Sequence, residues 1–285
     1  MTVEIADSSG EQSPPRRFSP LSPFRQRNFS LLFSGQLISV LGDAAYTLAL
    51  PWTVLATTHD PGKMALVLAV ETVTRTLSLM LGGALADRLS PRVIMLAADI
   101  GRAVVVGALA FTFFLGLPPL WLVAVLAGLQ GVGSGLFLPG SIAMLPLTVS
   151  HDEIPSANGL MQMSAFLTMV IGPVLGGVAT AAQATAAFAV DAGTFVVSAL
   201  SLGLMRRMPK PEKTTATVDA TARRGGGLLG EMRDGLRYAL SQPLLRATMS
   251  VTVIGNLALS GVFAVALIVL SQRLDPSPVT LGLLT

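Results

Sequence analysis

The sequence predicts an all-α polytopic membrane protein, on three observations. Of its 285 residues, 52% are hydrophobic and 12% charged, against roughly 25% charged in an ordinary soluble domain. That is too few charges to cover a water-exposed surface. The apolar residues fall in successive runs of about 20 or more, the length a helix needs to cross the hydrocarbon core. The Lys and Arg are bunched between these runs, where topology-setting charges lie. The 28 glycines and 18 prolines also suit membrane helices, in which both are commoner than in soluble ones.

Residues 1–28 are polar and rich in Ser, Pro and Arg. They read as a disordered tail, with Phe24 to Phe29 a short interfacial lead-in. A secretory signal would continue into a short apolar stretch and a small-residue cleavage site; here a membrane-length run follows instead. A six-helix transmembrane bundle is expected over 29–206, with spans near 31–56, 64–86, 93–115, 120–145, 157–180 and 184–205. Residues 207–246 form a basic linker with Gly225-Gly226-Gly227 at its centre. The stretch Gly230 to Leu240 is mildly amphipathic and suited to the membrane surface. Residues 247–285 open a further set of spans, with span 7 near 247–271 and Val279 to Thr285 the start of span 8.

Fifteen of the 19 Lys and Arg lie in the tail, beside the turn between spans 2 and 3, or between Arg206 and Arg246. The positive-inside rule places these segments, and the N-terminus, in the cytoplasm. The connection between spans 4 and 5 carries His151, Asp152 and Glu153 and no Lys or Arg, so it does not weigh in this balance.

Composition narrows the function classes. With no cysteine and two distant histidines, His59 and His151, disulfides and thiolate sites are excluded and a His-based metal site is not expected. No basic–aromatic interleaving points to nucleic acid. HExxH, a GxSxG with a partner His, and CxxC are all missing, so neither an enzyme nor a cofactor is expected.

The most informative stretch is the tight turn Gly82-Gly83-Ala84-Leu85-Ala86-Asp87-Arg88-Leu89-Ser90-Pro91-Arg92 between spans 2 and 3. Small residues before it allow close helix approach, and the charges after it sit where hydrocarbon gives way to water. The run resembles the loop signature of the major facilitator superfamily at Gly83, Leu85, Ala86, Asp87, Arg88 and Arg92, and departs from it at Ser90 and Pro91. Span 5 carries Gly172-Pro173-Val174-Leu175-Gly176-Gly177, similar to that family's span-5 signature of exporters running as antiporters. Pro173 removes a helix hydrogen bond, and the glycines let a neighbouring helix press close. Span 4 carries Gln130-Gly131-Val132-Gly133-Ser134-Gly135, similar to a family pattern tied to proton coupling. Its basic position falls on Ala127, so that charge is not carried over. Gly42-Asp43, Ala49-Leu50-Pro51-Trp52, Val190 to Phe195 and Gln242 to Arg246 resemble the drug- and siderophore-exporter branch. The resemblance implies the six-span N-terminal half of a major facilitator fold, plus span 7 and the start of span 8.

Charges inside the membrane cost at least about 2.5–3.5 kcal/mol each at the centre, so each needs a reason. Asp43 lies mid-span 1 with Tyr46, Thr47 and Leu50 on its face; it either lines a water-filled cavity or is capped by hydroxyls. Glu71 and Arg75 are four apart in span 2 with the acid first, the favourable order for a pair. Either they neutralise each other or they face a cavity and exchange partners with Asp43. Asp99 and Arg102 in span 3 are expected to reach back to Asp87, Arg88 and Arg92 as a latch at the cytoplasmic gate. Asp191 sits one or two turns inside the outer end of span 6, close enough to snorkel, and no function is assigned to it.

The functional expectation is a multi-pass protein of the cytoplasmic membrane that exports a small amphipathic molecule by alternating access. Protons would be the coupling ion, taken up at Asp43 or Glu71, with Arg75 and Gln130 also on the path. The alternative is a non-transporting bundle with a receptor-like or regulatory role. Because a facilitator cavity lies between two six-span halves, the chain is also expected to be a fragment, inactive for transport as a lone monomer.

Overall fold

The computed structural model describes residues 21–86, 89–206 and 237–255. The expectations for Asp87, Arg88, the linker centre, most of span 7 and the start of span 8 lie outside the described residues.

Six helices are long and apolar enough to cross a membrane: α1 (Arg27–Thr58), α2 (Pro61–Ala86), α3 (Pro91–Leu115), α4 (Leu120–Met144), α5 (Ile154–Ala182) and α6 (Ala184–Leu204). A shorter helix, α7 (Pro243–Gly255), follows, and its described side chains are exposed. Among the described residues there is no strand. Prolines open α2, α3 and α7, where their missing N–H is not needed and their fixed φ suits the first turn.

The connections are short because each end is tied off locally. His59 ends α1 with φ 50 and donates its N–H to the Leu55 carbonyl at 2.9 Å. Asp60 Oδ1 then accepts the Gly62 N–H at 2.8 Å and starts α2. Gly116, with φ 144, ends α3. Ser150 and Glu153 form a reciprocal capping box ahead of α5, each satisfying a backbone donor that the helix leaves free.

Residues 21–28, expected within the tail and its lead-in, are ordered against the bundle. A 3₁₀ turn spans Ser22–Arg25, and α1 begins at Arg27. Pro23 is buried, and Phe24 packs edge-on against Phe29 and Phe33 at centroid distances of 5.4 and 5.0 Å. This aromatic trio holds the lead-in against α1.

The principal contacts run in one series, α2–α4–α3–α6–α1–α5. Exchanging helices 1–3 for helices 4–6 maps this series onto its own reverse. Corresponding helices are an odd number of crossings apart, so they run in opposite directions, as in an inverted repeat. Small residues set the closest approaches. A Cβ on Gly131 would strike the Glu71 carbonyl, and one on Gly135 the Arg75 carbonyl. On the other side, a Cβ on Gly172 would lie 2.7 Å from Ala44 Cβ, and one on Gly176 2.6 Å from the Ala44 carbonyl.

The main core lies between α1, α3, α4 and α6, with Tyr46, Leu50, Val54, Val106, Leu109, Phe188 and Phe195 buried in it. Phe188 stacks on Phe113 at 5.7 Å. A smaller cluster of Leu32, Met95, Met144, Leu202 and Met205 closes the end that carries the α2–α3 turn.

Candidate functional site: a polar cavity in the helix bundle

The series leaves α2 and α5 at its two ends. Between them, floored by α1 and α4, lies a cavity of about 610 Å³. Asp43, Tyr46, Glu71, Arg75, Arg102 and Gln130 line it, with Ser134, Ser141, Asn158 and Gln162. Asp43, Glu71, Arg75 and Gln130, singled out from the sequence as four intramembrane polar residues, are therefore brought together on one wall system.

The centre of the site is Arg102. Its side chain is 3% exposed and makes an ion pair with Asp43 at 3.5 Å and another with Asp99. Asp99 is fully buried and accepts a second hydrogen bond from the Ser198 hydroxyl of α6 at 2.6 Å. The guanidinium is sandwiched between the rings of Phe137 and Phe195, 4.5 and 4.2 Å from their centroids. A planar, weakly hydrated cation suits such a slot, where an ammonium would not. Gly133 makes the slot possible, since a Cβ there would meet Arg102 Cγ at 2.5 Å.

This corrects the expectation that Asp99 and Arg102 join Arg92 at the turn. Arg102 stands eleven residues into α3 from Pro91, about 16 Å along the axis, and its partner is Asp43 on α1. Arg92 turns the other way and donates to the carbonyls of Leu202 and Gly203, at 2.9 and 2.7 Å. Those carbonyls belong to the last turn of α6, where the Met205 N–H reaches the Leu202 carbonyl only at 3.4 Å and a cation is favoured. Of the two glycines before the turn, Gly82 makes a close approach, 2.7 Å from Pro139 to a built Cβ, while Gly83 faces open space.

The Glu71–Arg75 pair does not form among the described residues. Glu71 is half-buried and Arg75 exposed, and both open into the cavity, where water can solvate them separately. Thr74 between them donates to the Gly128 carbonyl of α4 at 2.8 Å, which fixes this stretch of α2. Gln130 is 1% exposed, and its Oε1 has no hydrogen-bond partner. The Tyr46 hydroxyl is buried and directed at the Glu71 carboxylate across the cavity. On α5, Gly172 and Gly176 pack on α1 as described, Gly177 is buried and Pro173 lies inside the helix.

Asp191 does not snorkel. It is fully buried against α1, where a Cβ on Gly42 would fall 2.6 Å from its Oδ1. Position along the span suggested an interface residue. The usable signal was Gly42 next to Asp43, a gap on α1 that only another helix could fill.

Six membrane-length apolar helices with a polar cavity on one side of the bundle define a multi-pass membrane protein, and residues 32–285 match the Major Facilitator Superfamily. The chain belongs to that superfamily. It is 28% identical over 222 residues to the MFS-type transporter YfiS of Bacillus subtilis (strain 168), covering 77% of this chain and 51% of the relative. It is 23% identical over 260 residues to YvqJ of the same organism, covering 91% and 61%. It is 25% identical over 219 residues to the enterobactin exporter EntS of Citrobacter koseri, covering 76% and 50%. The chain thus spans about half the length of the curated relatives it matches.

Proposed function

We propose that this chain supplies the first six-helix half of a secondary active transporter that exports a small amphipathic molecule, such as a drug or siderophore, across the cytoplasmic membrane. The observation that carries the reading is the polar cavity deep in an apolar bundle, with Asp43 and Glu71 facing it and Arg75 and Gln130 beside them. Ionisable groups kept at that cost mark substrate or ion pathways. The likeness to an enterobactin exporter supports the substrate class and direction.

In this reading Asp43 exchanges protons with the cavity and is the best-placed coupling residue. Its side chain is 32% exposed on the cavity side and held by Arg102 on the other, so it alone of the ion-paired carboxylates meets both. Glu71 is the second proton site. Arg92, with Asp87 and Arg88 of the same signature, fastens the gate end of α3. The Arg92 bonds to the end of α6 support that role. Gly172, Pro173, Gly176 and Gly177 let α5 shift against α1 as the half rocks. The N-terminus and the α2–α3 turn face the cytoplasm.

The test is proton-driven flux of candidate drugs and siderophores in vesicles containing the full-length protein. Asp43→Asn is expected to abolish the dependence of flux on the pH gradient while leaving insertion intact. Undiminished pH-driven flux in that variant sinks the coupling role, and no saturable flux of any such compound in the unmodified protein sinks the transporter reading.

A further inference from the structure

Arg102 pairs with Asp43 of α1 and Asp99 of α3, and a third carboxylate, Asp191 of α6, lies near it without an ion pair. The helices α3 and α6 run antiparallel. On α6 the residues Ser198, Phe195 and Asp191 recur at helical spacing and share a face. Ser198 binds Asp99, Phe195 stacks on Arg102, and Asp191 comes next, farther from the α2–α3 turn. Asp191 is fully buried, and its Oδ2 has no hydrogen-bond partner. Arg102 Nε is also buried and also without a partner. An orphaned acceptor and an orphaned charged donor in one cluster are costly in a low-dielectric interior, and contact between them would relieve both.

The groups around Asp191 do not offer another cation. From α1 it meets Gly42, with Asp43 and Tyr46 adjacent; from α3 the nearby charge is Arg102. On its own helix Thr194 reaches Oδ1 only at 3.4 Å and bonds the Asp191 carbonyl at 2.7 Å instead. Three carboxylates, Asp43, Asp99 and Asp191, therefore surround one guanidinium. Asp191 lies four residues from Phe195, about 6 Å along the helix, within the swing of an arginine side chain. The Phe195 ring flanks the path, so the cation keeps an aromatic face while it moves.

We propose that Arg102 exchanges carboxylates, leaving Asp43 for Asp191, and that Asp191 is the positioning residue whose charge releases Asp43 to the cavity. Asp99 stays with Ser198 and Arg102 as the pivot. The place of this exchange in a transport cycle rests on the transporter reading; the exchange itself does not.

Melting of the purified chain tests the exchange without any transport. Asp191→Asn in the native background is expected to leave the melting temperature unchanged or raised, because it removes an unpaired buried charge. In an Asp43→Asn background Arg102 turns to Asp191, so Asp191→Asn should now lower the melting temperature by about 4 °C or more. The same sign in both backgrounds overturns the exchange. In an Arg102→Gln background Asp191→Asn should be more stabilising than in the native one. An unchanged effect there shows that Asp191 acts independently of Arg102 and also overturns it. In the full-length protein Asp191→Asn should cut initial flux about tenfold or more with melting intact; flux equal to the unmodified protein overturns the positioning role. If the unmodified protein carries no flux, it is the transporter reading that fails, and the melting arms still decide the exchange.

Discussion

At the residue scale, Arg102 shows how a single cation can be kept inside an apolar bundle. Its charge is met by Asp43 and Asp99, its flat faces by Phe137 and Phe195, and its stem by the space at Gly133. Arg102→Lys keeps the charge and loses the two-sided stack and the forked hydrogen bonds. It is expected to cost about 1–3 kcal/mol, read as a lower melting temperature in detergent. Arg102→Gln strands the buried Asp99 carboxylate and unpairs the half-buried Asp43, and should cost about 3–5 kcal/mol. Equal stability of the Lys and native proteins would mean that the rings contribute nothing. Asp43 and Gln130 were legible in the sequence because a polar group in a membrane-length apolar run must find an interior. The partners were not. Asp99 and Arg102 are near the α2–α3 turn in sequence, which suggested a latch there. Spacing along α3 cannot reveal that α1 presents Asp43 to the same point.

At the element scale, glycines decide where helices touch. Gly131 and Gly135 let α4 lie directly on the backbone of α2, and Gly176 lets α5 lie on Ala44 of α1. Gly101 and Gly159 face open space. Gly135→Ala and Gly176→Ala should therefore destabilise the bundle by about 1–3 kcal/mol through overpacking. Gly101→Ala and Gly159→Ala should be neutral, or stabilising by up to about 1 kcal/mol from helix propensity alone. Thermal melts of the four variants check this, and loss of stability at Gly101 would mean that an unseen neighbour packs there. The helices were legible from run length and from the prolines and small residues at their ends. The two-fold relation between α1–α3 and α4–α6 was not legible as repeated residues, for a physical reason. In the α4–α2 contact most of the closely packed glycines, Gly128, Gly131 and Gly135, sit on α4, the counterpart of α1, with Gly82 on α2. In the α1–α5 contact they sit on α5, the counterpart of α2. The packing order is shared while the helix that carries the glycines has switched, so aligning one half on the other pairs glycines with larger residues.

At the scale of the whole molecule, six crossings put the α2–α3 and α4–α5 connections on one side and the α1–α2, α3–α4 and α5–α6 connections on the other. In the proposed orientation the first side is cytoplasmic, because Arg25, Arg27, Arg92 and Arg206 lie at that end and Lys63 at the other. The structure gives two of these arginines a local use as well. Arg92 bonds the last carbonyls of α6, and the Arg206 N–H is held by Asn28 at 3.0 Å, tying the starts of α1 and α3 to the end of α6. A positive end pinned in this way should not invert in the membrane. Leu89, 48% exposed beside the α2–α3 turn, and Leu117, 78% exposed between α3 and α4, are suitable reporters. Leu89→Cys should react with a membrane-impermeant maleimide only when the cytoplasmic face is open, and Leu117→Cys only from the outside. The chain has no other cysteine, so each signal is unambiguous. The opposite pattern would turn the bundle over, and labelling of both sites from one side would break the six-crossing count itself.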